Sequence, residues 1–168
     1  MAVHIFAMNV VAPVLAALVA ARLGHRDMRA RWLWIAALGQ TAALFAAHVP
    51  ALQSAAMARP LLQAAMHLLL AAVAVAFWLA VLAASVARPW HAVAALALSA
   101  KLFCLLAVLL VFAPRTLHGH HATALDDQQL AGLLMIAACP LSYLVAALLL
   151  TIRQIGSASR LRPVRSAG

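Results

Sequence analysis

LLQAAMHLLLAAVAVAFWLAVLAASV, residues 61–86, runs its whole length without one Lys, Arg, Asp or Glu. Wound as a helix at 1.5 Å per residue it is roughly 39 Å long, more than the ~30 Å of hydrocarbon in a bilayer. In lipid each backbone N–H and C=O must find its partner within the segment, so the stretch reads as a transmembrane helix. Four further apolar stretches lie around it, at 2–23, 31–48, 92–113 and 128–152, with Pro50, Pro60, Pro89 and Pro114 near the breaks. At 68% apolar and 9% charged, the chain departs far from the ~45–50% and ~25% of soluble domains. The fold expected is an all-α integral membrane bundle of about five transmembrane helices. The first stretch counts as structure: MAVHIFAMNV carries no Lys or Arg, and its basic cluster follows the apolar run, the reverse of a signal peptide.

The net charge of +9 sets topology more than it attracts nucleic acid. Arg22, Arg26, Arg29 and Arg31 flank the first connection, Arg88 lies in the third, and Arg153, Arg160, Arg162 and Arg165 fill the tail. With five crossings these share one side, against Arg59 and Arg115 on the other. The positive-inside rule then puts the N-terminus outside and the C-terminus in the cytoplasm, with anionic lipid a partner for the basic side. One domain is expected, a bundle over 1–155, followed by a disordered basic cytoplasmic tail over 156–168. Cys104 and Cys139 sit inside apolar stretches and read as small packing residues. Only three acidic residues exist, and no GxGxxG, P-loop or HExxH occurs, so an enzyme is not expected.

Placing each ligand-type residue by depth separates the two sides. His4 falls near the outer surface with Met8 a turn deeper, His48 ends the second stretch, and His67 lies about two turns into the third, after Met66. Met57 and the histidine run of His118, His120 and His121 fall in outer connections. Met135 lies about two turns into the last stretch, below Asp126 and Asp127, which suit a helix N-terminus. Six of the eight histidines are thus outward, leaving His25 and His91 on the cytoplasmic side. Imidazole with thioether is the donor set for copper, Cu(I) above all. Polar groups at like depth on three spans tend to mark a site. Lys101, near the middle of the fourth stretch, has no carboxylate at its depth and is expected to face the bundle as a neutral amine.

The run HVPALQSAAMARPLLQAAMHLLLAAVAVAFWLAVL, His48 to Leu82, resembles the bacterial cytochrome c oxidase assembly factors of the CtaG type. DDQQLAGLLM, Asp126 to Met135, is similar to that family's D-Q-Q-L-A-G segment, and HIFAMNVVAP, His4 to Pro13, to its first helix. The resemblance implies a membrane protein that helps insert copper into a haem-copper oxidase, with His4, His48, His67 and Met135 on the motif positions. Met66 stands where a Glu is common, and the chain is shorter than the family's usual six or seven helices.

The expected function is therefore a copper-binding assembly factor in the bacterial cytoplasmic membrane. Its site is His4, Met8, His48, His67 and Met135, with His118, His120, His121 and Asp127 as a metal entry. Its partners would be an oxidase subunit or another copper chaperone, with a homo-oligomer possible. Three rivals remain: a redox protein whose histidines ligate b-type haem, a small accessory subunit of a respiratory complex, and a copper permease, which the scarcity of ligand residues on the cytoplasmic half disfavours.

Overall fold

The computed structural model describes residues 2–23, 29–114, 116 and 124–160. Among these every regular element is helical. The first is a continuous rod built from α1 (Ala2–Phe6), a π-helical turn (Ala7–Val11) and α2 (Ala12–Leu23). Then come α3 (Ala30–Ala47), α4 (Pro50–Met57), α5 (Pro60–Ala87), α6 (Pro89–Phe112) and α7 (Ala124–Arg160).

Proline sets the breaks. A residue before Pro is pushed out of the helical region, and Val49, Arg59 and Arg88 all take extended or irregular backbone ahead of Pro50, Pro60 and Pro89. Each proline then opens the next helix, where its missing N–H has no intrahelical acceptor to lose. His48 is the C-cap of α3 for this reason, since the chain must turn between Ala47 and Pro50.

Four stretches, His4–Arg22, Pro60–Ala87, Pro89–Phe112 and Leu125–Ser157, are long and apolar enough to cross a membrane. The pair α3 and α4, bent by 67° at the break between them, meets the same standard only when taken together, which gives four spans, or five where the pair is counted as one broken span. The protein is a multi-pass membrane bundle. Two boundaries differ from expectation. The connection between the second and third spans holds α4 rather than a loop, because Pro50 starts a new helix. The tail expected to be disordered from Gly156 continues α7 to Arg160, while 161–168 lies outside the described residues.

The core is closed by aromatic and small side chains. Tyr143, Phe77 and Phe103 are fully buried, with Tyr143 stacked on Phe77 at 5.6 Å and edge-on to Phe103 at 5.2 Å. Trp78 lies 5.1 Å from Tyr143. The Gln40 amide donates to the Tyr143 hydroxyl at 2.8 Å, tying α3 to α7 across the centre. Higher up, α6 and α7 touch at Gly132: a Cβ there would stand 2.7 Å from Val111 Cγ2 and 2.9 Å from the Ala107 carbonyl. Small residues serve this purpose in membranes, where dispersion rather than water exclusion holds helices together.

Candidate functional site

The site starts from the first rod. In its π turn the Ala12 N–H reaches the Ala7 carbonyl, five residues back. In that register the donor for the Met8 carbonyl would be residue 13, and Pro13 has none. The Trp78 indole N–H fills the position instead, at 3.3 Å from the Met8 carbonyl oxygen. Asn9 is used twice, donating to the Ile5 carbonyl at 2.9 Å and accepting from the Ser142 hydroxyl at 2.8 Å. The turn is thereby anchored to α5 and α7, and it fixes the stretch of helix that carries His4.

His4, His48 and His67 come together from three different spans. The ring centroids of His4 and His48 are 5.5 Å apart, nearly perpendicular, and those of His4 and His67 are 6.5 Å apart. His4 and His48 are buried and His67 is half-buried. The second and third rings are held in the same way: His48 Nδ1 lies 2.8 Å from the Leu44 carbonyl, and His67 Nδ1 2.8 Å from the Gln63 carbonyl. A carbonyl only accepts, so in each neutral ring Nδ1 carries the proton and Nε2 is the unprotonated nitrogen. That arrangement is how metal-ligating histidines are commonly oriented. His4 Nε2 is buried without a hydrogen-bond partner among the described residues.

The thioethers lie close in height. Met8 is buried one turn below His4. Taking the Asn9–Ser142 contact as the register between the first rod and α7, Met135 sits within about one turn of the level of His4. It is fully buried, and Cys139 below it is buried too. Met66 packs half-buried against the core, whereas Met57 is exposed at the end of α4. Asp126 and Asp127 occupy the first turn of α7. His118, His120 and His121 lie outside the described residues, as does His25. Among the described residues no three or more His, Cys, Asp or Glu side chains gather closely enough to enclose an ion. The histidines thus make one close pair with a third ring farther out.

Lys101 corrects an expectation: it is exposed on the surface of α6, not turned into the bundle. The inward face of α6 at that level is taken by Ser99, Ala100 and Phe103. Sequence reasoning also passed over Asn9, Gln40, Ser142 and Tyr143, which knit the spans below the histidines. Their signal was present, since a polar side chain inside an apolar run needs a partner, but nothing in one sequence pairs Gln40 with Tyr143.

Neither the characterised proteins nor the solved structures compared with the chain gave a match. The profile of the cytochrome c oxidase caa3 assembly factors (Caa3_CtaG) matches residues 1–157, nearly the full length and all of the histidine-bearing spans, and the chain belongs to that family.

Proposed function

We propose that the protein binds copper as cargo at the His4–His48 pair and passes it to a haem-copper oxidase during assembly, in the bacterial cytoplasmic membrane. The observation that carries this is the pair itself. Two imidazoles sharing one ion at ~2.0 Å from each nitrogen have centroids roughly 5–6 Å apart, and 5.5 Å falls in that interval. His67, at 6.5 Å from His4, is a third donor that reaches the ion by a small change of ring position. Met8, one turn deeper than His4, and Met135, close to the level of His4 on α7, would supply soft sulfur, which favours Cu(I) over hard cations. The histidine run at 118–121 and Asp127 form the entry.

A cargo site must let its ion go. A close pair of imidazoles, a third ring set back, a thioether on the rod that carries His4 and another on α7 would make a shell that can be exchanged ligand by ligand. The outward end of the bundle also lies opposite the end bearing Arg22, Arg29, Arg88 and Arg153, which the positive-inside rule assigns to the cytoplasm. Copper would be taken and handed over on the outer face.

The test is metal analysis of detergent-purified protein loaded with Cu(I) under reducing conditions. Wild-type protein should hold about one copper per chain. His48→Ala should lose most of it, His67→Ala less, and both should remain in the membrane at normal abundance while host oxidase activity falls. Unchanged copper content in both variants would sink the proposal. A Soret band in the purified protein would replace it by the haem reading.

A further inference from the structure

We propose that the exposed face of α6 centred on Lys101 docks a transmembrane helix of another polypeptide, and that this helix carries an Asp or Glu near the middle of the bilayer. The proposal does not depend on copper.

Lys101 stands almost at the midpoint of α6, twelve residues after Pro89 and eleven before Phe112. At 1.5 Å per residue, either end of the helix is about 16–18 Å away. A four-carbon stem cannot carry the ammonium that far to the interface. The side chain is also exposed, so it lies against hydrocarbon unless another chain covers it. An ionisable group in that position is costly and calls for a partner.

Among the described residues no carboxylate of this chain lies at that depth. The chain has three acidic residues. Asp126 and Asp127 are in the first turn of α7. The Gly132 contact with Ala107 and Val111 sets the register of α7 on α6 and leaves Asp126 roughly 20 Å along the bundle from Lys101. Asp27 belongs to the connection ahead of α3, outside the described residues. A second copy of the chain meets the same difficulty, since it would bring another Lys101 and, among the described residues, no carboxylate at that depth. Charge complementarity therefore points to a different polypeptide.

The surroundings suit a helix. Ala94, Ala97, Leu98, Leu105 and Val108 are exposed on α6 with Lys101, at spacings of three and four residues. They form one stripe along the axis. Alanines on the turns before Lys101 let a second backbone approach, and Leu105 and Val108 offer side chains to pack. The ion pair would fix depth and rotation of the incoming helix as well as its identity.

The experiment places a photo-crosslinking amino acid at Leu105 in the full-length protein, in host membranes, and sequences the adduct. The expected result is a discrete hetero-adduct whose crosslinked segment is an apolar span with Asp or Glu near its centre. Lys101→Leu should reduce the adduct at least tenfold, and Lys101→Arg should restore it. Removing a charge from a lipid-facing position favours insertion, so immunoblotting should find the Leu variant at wild-type abundance. The same crosslinker at Leu18, exposed on α2, should give no Lys101-dependent product. A self-adduct, a partner span lacking a central acid, an adduct indifferent to Lys101→Leu, or no adduct would each overturn the proposal.

Discussion

The helices that carry the histidines and the helices that close the bundle are built differently. His4 precedes a π turn, His48 stands at a 67° bend, and His67 lies two turns after the Pro60 start of α5. By contrast α6 and α7 pair along 24-residue and 37-residue helices, locked at Gly132 and around Tyr143. Buried polarity follows the same division. The Tyr143 hydroxyl takes a hydrogen bond from another span, whereas the Nδ1 nitrogens of His48 and His67 are held by carbonyls of their own helices. In one region polar groups join the helices to each other. In the other, two of the imidazoles are held from within their own helices.

The largest effect expected from this contrast is on ligand binding. The double variant His4→Ala/His48→Ala should weaken Cu(I) affinity by at least tenfold in competition with a soluble chelator. Tyr143→Phe should leave that affinity within a factor of about two. Equal losses in both variants would mean that the histidines contribute only through the stability of the bundle. Saturating Cu(I) should also raise the thermal midpoint of the wild type, since ligand bound to the folded state alone stabilises it by about 2.7 kcal/mol at one hundred times Kd.

Next in size is the α6–α7 contact. In Gly132→Ala the new methyl meets Val111 Cγ2 and the Ala107 carbonyl, and a backbone oxygen cannot turn aside as a side chain can. Overpacking of this kind costs about 1–3 kcal/mol. The loss should be seen as a lower midpoint in detergent, with copper content per folded chain unchanged.

A smaller pair of effects differs in sign. Tyr143→Phe leaves the buried Gln40 amide without its acceptor and should destabilise by about 0.6–1.7 kcal/mol, the range for polar contacts between membrane helices. His4→Leu removes a buried ring nitrogen that has no hydrogen-bond partner among the described residues. It should stabilise the metal-free protein by about 1 kcal/mol while abolishing its copper response. If both lowered the midpoint, His4 would be serving the packing of the bundle and the contrast between the regions would fail.

The same division decides what could be read from the chain. Runs without charge give the spans because hydrocarbon thickness leaves few alternatives, and arginine placement puts His4, His48 and His67 at one end. The lone polar residues within spans were harder. Gln40 and Tyr143 are 103 positions apart, and whether such a residue faces a neighbour or lipid depends on helix rotation. Lys101 shows the point: its depth follows from counting residues, but the side of α6 it occupies depends on which face Ser99, Ala100 and Phe103 bury. Helix α4 was missed because eight residues opened by proline look the same in sequence whether they form a loop or a bent continuation. The π turn left one trace, Pro13 near the start of an apolar run, which does not by itself reveal that Ala12 bonds five residues back.

That turn offers the finest test. Trp78→Phe keeps most of the apolar surface and removes the N–H that reaches the Met8 carbonyl. At 3.3 Å the bond is long, so the loss should be under about 1 kcal/mol. A double-mutant cycle gives the small number meaning. Pro13→Ala restores a backbone donor at the position where the helix lacks one, and the Met8 carbonyl can then be satisfied within its own rod. In that background the penalty of Trp78→Phe should shrink to the cost of the lost indole packing alone, and hydrogen exchange at Ala12 should slow as the rod returns to the α register. A penalty for Trp78→Phe that is identical with and without Pro13 would show that the indole acts only by packing against Tyr143. The turn would then owe nothing to the proline, and the irregularity beside His4 would need a different cause.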